Sequence, residues 1–333
     1  MQRDRYPKIS ISPFANTSSL ASILSVSKDQ LHYFTENIDE FYKPGKLLQK
    51  KNGDPRLTHD AKPTLKQVHE RIKNRILKQV DYPYYMLGGV SDSENPRSCK
   101  THASIHCGKK ILISEDISNF YPNTSYEAVK SIWKHCFHFS DNISDILAKL
   151  TTYNGELPQG WKTSGYLANL ALWKIEPDLV KILEEKGFSY SRFVDDITVS
   201  SLFSINDKDK SFIVSNIYAM LLPCGYSPKR TKHDISSREK PMVVTSLNVN
   251  TNKPTIPKRQ RNNIRSMVFQ IEMLHPRQGR THSYYKQWIS LYGKVNRIKS
   301  FHENEGEDLQ RRMRLVKPPK YFFQKIIDKN SRM

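Results

Sequence analysis

The chain has 333 residues, of which 37% are hydrophobic, and its 53 lysines and arginines outnumber 33 acidic residues to give a formal net charge of +20. This composition excludes a disordered tail, because the chain can bury a substantial core, and its length suggests one large domain or two to three modest ones. An isoelectric point near 9.6 makes a polyanion the natural partner.

The sequence carries no feature of a membrane or secreted protein. There is no apolar run of eighteen residues, and the amino-terminal "MQRDRYPKIS" lacks the apolar segment of a secretory signal. Cys99, Cys107, Cys136 and Cys224 form no Cys-x-x-Cys pair, which is typical of a reducing compartment. We therefore expect a soluble cytoplasmic protein with no membrane partner.

The first third of the chain predicts short helices followed by a hairpin and a longer helix. The Asn-Gly-Asp-Pro sequence at 52–55 predicts a turn between two strands. From Leu65 to Val80, apolar residues recur at helical spacing and basic residues occupy the remaining positions. We expect an amphipathic helix there, with a basic outer face.

The middle of the chain mixes strands and helices. "ILISED" at 111–116 predicts a strand that ends on acids, and "YSRFVDDITVSS" at 190–201 predicts two short strands around a bend at Asp195 and Asp196. Helices are predicted over 125–137, 164–186 and 207–222, a strand or hairpin over 240–250, and mostly helix over the last 75 residues. This order favours an α+β architecture over a doubly wound parallel sheet.

Three carboxylates are candidates for a common site. An Asp-Asp pair at a bend is most often only a turn. Asp116, however, also stands at a strand end, 79 residues before Asp195. If both strands belong to one antiparallel sheet, the carboxylates converge and raise each other's pKa. Two Mg²⁺ ions would remove that penalty and would clamp a phosphoryl group during transfer.

The carboxyl-terminal part of the chain predicts a nucleic-acid interface. From Lys253 onward, 19 lysines and arginines face 6 acids, a net charge of +13. Aromatic residues are interleaved with these cations, among them Phe269, Trp288 and Tyr292. Base stacking and phosphate contact require this combination.

Three motifs give the chain a family resemblance. "EDISNFYPNT" at 115–124, "LPQGWKTSGYLANL" at 157–170 and "YSRFVDDITVSS" at 190–201 resemble the palm motifs of reverse transcriptases, in the same order. The resemblance implies a right-hand polymerase with fingers, a palm built on an antiparallel sheet with helices, and a helical thumb. The implied domains are amino-terminal helices and fingers at 1–110, the palm at 111–250 with a fingers element around 130–165, and a basic thumb at 251–333.

Within that family the chain resembles the bacterial retron type. "HASIH" at 102–106 is similar to the retron Asn-Ala-x-x-His element with His in place of Asn, and "VTS" at 244–246 is similar to Val-Thr-Gly with Ser in place of Gly. The usual Tyr-Ala-Asp-Asp core is Phe193-Val194-Asp195-Asp196 here. These departures leave open another defence-associated group of bacterial reverse transcriptases.

The resemblance implies roles for individual residues. Asp116, Asp195 and Asp196 would be the catalytic carboxylates and hold two Mg²⁺ ions. Tyr121 would exclude a ribose 2′-OH, and Gln159 and Gly160 would line the nucleotide pocket. The remaining assignments are Arg56 with Lys50 or Lys51 on the incoming triphosphate, Lys232 near the leaving pyrophosphate, and thumb contacts to RNA by Lys258, Arg259, Arg261, Arg265, Lys294 and Arg297.

The implied function is the copying of a structured noncoding RNA into DNA from dNTPs. A retron enzyme would make RNA-linked DNA (msDNA) in antiphage defence. No ribonuclease H-like carboxylate cluster follows the palm motifs, so an effector protein encoded nearby is a further expected partner. Two alternatives stay open: a defence-type reverse transcriptase with different priming or templating, and a noncatalytic RNA-binding scaffold.

"CKTHASIHC" at 99–107 invites a zinc interpretation that we consider weak. Adjacent His106 and Cys107 cannot easily both reach one tetrahedral centre. His102 and His106 are better interpreted as a structural or RNA-contacting pair.

Overall fold

The computed structural model describes residues 4–49, 55–92 and 94–319, and they fall into two compact units. The first unit ends at Thr245 and the second begins at Ser246. The border between fingers and palm that we expect at 110/111 lies inside the first unit and stays a prediction. No helix among the described residues is long and apolar enough to cross a membrane.

The first unit mixes helices and strands, as the α+β expectation required. Its elements in chain order are β1 (Lys8–Ile9), α1 (Thr17–Ile23), α2 (Lys28–Glu36), α3 (Ile38–Phe41), β2 (Tyr42–Gln49), β3 (Pro55–Ala61), α4 (Pro63–Arg75), β4 (Val80–Asp81), α5 (Cys99–Ile105), β5 (Ile111–Asp116), α6 (Phe120–Asn123), α7 (Tyr126–Ser131), α8 (Asp141–Thr151), α9 (Ser164–Leu170), α10 (Glu176–Glu185), β6 (Ser189–Phe193), β7 (Asp196–Ser201), α11 (Asp207–Leu221), β8 (Asp234–Ser237) and β9 (Val243–Val244).

A four-stranded antiparallel sheet is the centre of this unit. Its strand order is β6-β7-β5-β8, so β5 pairs with both β7 and β8. The sequences of β5 and β7 are rich in Ile, Val and Thr, whose branched side chains suit a pleated surface. Helices α5 and α10 pack against β6, and α11 packs against α10. The sheet is therefore largely buried, and its polar residues need partners.

Two predicted helices end earlier than their apolar spacing suggests. The helix expected from Leu65 to Val80 ends at Arg75, because Val80 pairs with Ile9 across β4 and β1. The helix expected over 164–186 is interrupted after Leu170 and resumes at Glu176. By contrast, α11 spans Asp207–Leu221, close to the predicted 207–222, and a capping box at Asn206 fixes its start.

The strands β2 and β3 pair antiparallel as expected, whereas residues 52–54 of the predicted turn lie outside the described residues, and β3 contacts a distant loop. The His59 N–H donates to the Gln159 carbonyl oxygen at 2.8 Å. Next to it, Gly160 has a φ of +124°, and a Cβ added there would lie 2.4 Å from the His59 carbonyl oxygen. Only glycine fits this approach, because any side chain adds a clash to a strained backbone.

The described part of the second unit, residues 246–319, forms a short strand and three helices. They are β10 (Leu247–Asn248), α12 (Lys258–Gln278), α13 (His282–Lys299) and α14 (Glu303–Leu315). Trp288 donates from its indole nitrogen to the Met313 carbonyl oxygen at 3.0 Å, and the Tyr284 hydroxyl donates to the Val316 carbonyl oxygen at 2.7 Å. The prediction of a mostly helical carboxyl-terminal part is confirmed for the residues the structure describes.

The close approach at Gly160 gives a prediction about folding. We expect Gly160→Ala to lower the free energy of unfolding by about 3 kcal/mol, since backbone strain and a backbone clash add together. Urea unfolding measures this loss. Hydrogen exchange at the His59 amide should also accelerate, because its acceptor is Gln159.

Gly187→Ala is the matched control. Gly187 also has a positive φ, +79°, but an added Cβ would meet nothing within 4 Å. We expect a cost of about 1 kcal/mol there, from strain alone. Equal costs at the two glycines would contradict the proposed contact between β3 and the Gly160 loop.

Candidate active site

The hairpin β6–β7 turns one residue earlier than we predicted. Phe193 pairs with Asp196, so the two turn residues are Val194 and Asp195, and Asp196 is the first residue of β7. The predicted bend at Asp195 and Asp196 is thus wrong by one residue. Val194 has a φ of +60°, at the first central position of a two-residue hairpin turn, where glycine is usual. A β-branched residue in this conformation is strained.

Strand pairing brings Asp116 and Asp196 together. Asp116 ends β5 and is the direct cross-strand partner of Asp196. The turn is tied to the same strand end, because the Ile117 N–H donates to the Asp195 carbonyl oxygen at 2.9 Å. All three predicted carboxylate residues therefore lie at one end of the sheet.

A lysine compensates part of this negative charge. Lys232 donates from Nζ to Asp116, and the same atom lies 3.9 Å from an Asp196 carboxylate oxygen. Burial, followed by the negative charge of Asp195, raises the pKa of Asp196 to about 7 despite the opposing effect of Lys232. Burial opposes the charged form of Lys232, but its hydrogen bond with Asp116 raises the lysine pKa.

The carboxylates fit a divalent cation by their donor chemistry. Carboxylate oxygens are the hard ligands that such ions prefer. Burial and, after it, the negative charge of Asp195 raise the pKa of Asp196, and Lys232 only partly offsets them. Within the described ranges, no three acidic, histidine or cysteine side chains already surround one point.

The predicted nucleotide-pocket residues are distributed over three segments. Tyr121 lies in α6, partly buried, with its ring edge-on to Phe120 at 6.3 Å between centroids. Arg56 lies in β3 opposite Leu48, in the strand that contacts Gln159 and Gly160. The close approach at Gly160 is thus to protein backbone. Lys50 and Lys51 lie outside the described residues.

His102 and His106 are structural, and the alternative of an RNA-contacting pair is wrong. Both side chains are fully buried. His106 bridges β6 and β7, with one ring nitrogen 2.6 Å from the Ser191 hydroxyl oxygen and the other 2.7 Å from that of Ser200. The His102 ring stacks on Phe193 at 5.6 Å between centroids. Burial lowers the pKa of both histidines, so they pack as neutral rings.

The six predicted RNA-contacting cations of the second unit fall into two groups. Arg261 and Arg265 both bind Glu305, at 2.5 and 2.7 Å, so their charges are partly neutralised within the unit. We therefore expect less from these two arginines as phosphate contacts than the sequence suggested. The other four, Lys258, Arg259, Lys294 and Arg297, are exposed, as Arg265 also is.

Sequence reasoning missed a buried ion pair beside the hairpin. Arg192, two residues before Val194, and Glu176, the first residue of α10, are both fully buried and bind each other through two hydrogen bonds of 2.6 and 2.7 Å. One feature of the sequence could have indicated it. An arginine within a strand expected to be buried requires an acidic partner.

The sheet and its carboxylates define the class of protein. An antiparallel sheet that carries one aspartate at a strand end and two at the adjacent hairpin is the palm of a right-hand polymerase. Asp116 and Asp196 are paired strand residues of this sheet, Asp195 lies in the adjoining turn, and Lys232 Nζ binds Asp116 and lies 3.9 Å from Asp196.

Comparison with known proteins identifies the family. Residues 48–242 match the reverse transcriptase (RNA-dependent DNA polymerase) family. The retron Se72 reverse transcriptase of Salmonella heidelberg (strain 579083-10) is 31% identical over 87% of this chain and 76% of the relative. The retron Ec48 reverse transcriptase of Escherichia coli is 30% identical over 92% of this chain and 77% of the relative. The chain belongs to the reverse transcriptase family and is of the retron type.

This membership establishes the activity as RNA-directed DNA synthesis, with RNA as the template and a divalent metal ion as the family's cofactor.

A solved telomerase structure from Candida tropicalis, truncated from its C-terminal domain, has a TM-score of 0.43 and 12% identity over 70% of this chain and 61% of that one.

Proposed function

We propose that this reverse transcriptase copies a structured noncoding RNA into RNA-linked DNA, with Asp116, Asp195 and Asp196 as the ligands of two Mg²⁺ ions. The observation that carries the catalytic part is the direct pairing of Asp116 with Asp196 beside the Asp195 turn. Two carboxylates in contact at a partly exposed sheet end are costly without a cation. A site for hard cations explains why that arrangement is kept.

The reaction joins a primer hydroxyl to the α-phosphate of a dNTP while pyrophosphate leaves in line. When bound, two Mg²⁺ ions would stabilise the charge on the phosphoryl group and make the hydroxyl more acidic. Asp116 would fix one side of the site from β5. Asp195 and Asp196 would fix the other side from the hairpin.

Lys232 would have two roles in succession. Its ammonium group now neutralises Asp116. The resemblance implies that the same group would stand near the leaving pyrophosphate and donate a proton to it. Its raised pKa keeps it protonated at neutral pH, which a proton donor requires.

The nucleotide pocket would be built from α6, β3 and the loop at Gln159 and Gly160. The Tyr121 ring would collide with a ribose 2′-OH and so select deoxynucleotides. Arg56, with Lys50, would contact the triphosphate. The contact between His59 and Gln159 supports this grouping, because it joins the strand of Arg56 to the pocket loop.

The RNA would be held by the exposed cations of the second unit, where phosphate contacts supply affinity. Two relatives named as retron reverse transcriptases support a retron function, in which a 2′-OH of the same RNA primes synthesis. Antiphage defence with an effector protein encoded nearby would be the biological setting. A defence-type enzyme with different priming remains the alternative.

The catalytic proposal predicts the effect of removing two carboxylates. Asp195→Asn combined with Asp196→Asn should abolish DNA synthesis, because neutral amides hold divalent cations poorly. RNA binding should persist, since it depends on another surface. Primer extension and filter binding measure the two properties on the same preparation.

The matched control removes two charges elsewhere. Asp207 is 95% exposed at its side chain, and Glu239 is exposed, so Asp207→Asn with Glu239→Gln should leave synthesis intact. Continued DNA synthesis by the Asp195 and Asp196 variant would eliminate the carboxylate mechanism.

The retron part makes a separate prediction about the product. Nucleic acid that copurifies with the protein should contain one DNA of defined sequence, joined through a 2′-5′ branch to one RNA. Sequencing before and after debranching detects the junction. A homopolymer, repeats or unlinked cDNA would instead indicate the alternative defence-type enzyme.

A further inference from the structure

The guanidinium of Arg192 connects the catalytic hairpin to two helices. Besides its two bonds to Glu176, it donates to the carbonyl oxygens of Asn169 and Val194, each at 2.9 Å. Asn169 lies in α9 and Glu176 begins α10. One fully buried side chain therefore joins both helices to the strained residue of the turn.

The backbone of Arg192 is anchored as well. Its N–H donates to the Tyr85 carbonyl oxygen at 2.8 Å, and its carbonyl oxygen accepts from the Leu87 N–H at 2.9 Å. The next residue of that segment, Gly88, would clash with Phe193 and Val194 if it carried a Cβ. The segment thus lies directly against the hairpin and leaves the turn little room to move.

Stability alone does not explain a buried ion pair. Desolvation of the two charges offsets most of their attraction, and apolar residues of similar volume often replace such pairs without loss of stability. Apolar residues could not, however, hold the Val194 carbonyl oxygen. That contact fixes the conformation at the residue before Asp195, which costs strain to maintain.

We propose that Arg192 and Glu176 are positioning residues for catalysis: the buried pair holds the Val194 carbonyl and thereby sets the position of Asp195 and Asp196 relative to Asp116. This inference rests on the proposed role of the three carboxylates. Glu176 orients the guanidinium, the guanidinium holds the turn, and the Asp195 carbonyl in turn accepts from Ile117 behind Asp116.

Arg192→Lys tests the proposal, because an ammonium group can pair with Glu176 but cannot also reach the Asn169 and Val194 carbonyls. We expect kcat to fall about 10- to 100-fold, the magnitude typical of a small misplacement of catalytic groups. The Mg²⁺ concentration for half-maximal rate should rise several-fold. Affinity for the template-primer and KM for dNTPs should stay within about twofold of the wild-type values, since neither depends on the turn in this account.

A readout independent of activity is hydrogen exchange at the Ile117 amide. This amide donates to the Asp195 carbonyl oxygen, so a loosened turn should speed its exchange in the free protein. A second variant, Glu176→Leu with Arg192→Met, removes the pair without leaving a single buried charge. It should keep a cooperative thermal transition and still show the losses in kcat and Mg²⁺ response.

Arg312→Lys is the matched control. Arg312 binds Glu272 through two hydrogen bonds of 2.8 and 2.7 Å in the second unit, far along the chain from the hairpin. The Arg312→Lys variant should leave kcat and the Mg²⁺ response unchanged.

If Arg192→Lys does not fold, the apolar double variant and the nearly isosteric Glu176→Gln test the positioning role by the same measurements.

The outcomes separate this inference from the proposed function. Wild-type kcat, Mg²⁺ response and Ile117 exchange in a folded Arg192→Lys or apolar double variant would overturn the positioning role, provided that Asp195→Asn is inactive. Activity in Asp195→Asn itself would instead overturn the carboxylate mechanism. Parallel losses in the Arg192 and Glu176 variants, with Arg312→Lys normal, would support the inference.

Discussion

The contact between Asp116 and Asp196 is the constraint on which the rest of the site depends. Antiparallel pairing of β5 with β7 places the two aspartates directly opposite each other, where like charges destabilise a sheet. The hydrogen bonds of the sheet hold them there despite their repulsion. Lys232 offsets part of the charge, and the pKa of Asp196 remains raised to about 7. The sheet thus prevents the two residues from separating, and this is the arrangement on which the proposed cation site rests.

Buried polar contacts hold the hairpin that carries Asp195 and Asp196. Val194, the residue before Asp195, has a strained positive φ, and the Arg192 guanidinium donates to the Val194 carbonyl oxygen. On the other side of β6, His106 bridges two serines across β6 and β7 as a neutral ring. Each of these polar groups is buried and has a partner, so the sheet end can be rigid while the charges remain at its rim.

Much of the site could be predicted because it is local in sequence. "ILISED" gave β5 with its correct bounds, and the aspartates of the hairpin were recognised from their place between two strand-forming runs. The turn was misplaced by one residue because aspartate is a common turn residue and valine is a rare one at positive φ. Register depends on strand pairing across the sheet, which turn propensities do not reveal.

The remaining errors and omissions concern contacts between residues distant in the chain. The pairing of Arg192 with Glu176 joins a strand to a preceding helix, and Glu305 neutralises Arg261 and Arg265 from another helix. A charged residue in a sequence shows neither its burial nor its partner. The burial of His102 could not be predicted either, because its packing partner Phe193 lies about ninety residues later. Burial and charge pairing of these residues depend on tertiary packing.

The most direct test of the account is a structure of the protein bound to its RNA template-primer with an unreactive dNTP analogue and Mg²⁺. The account predicts two metal ions between the triphosphate and the carboxylates of Asp116, Asp195 and Asp196, with the Lys232 ammonium displaced from Asp116 toward the phosphates. Metal ions held by other residues, with Lys232 still bound to Asp116, would contradict it.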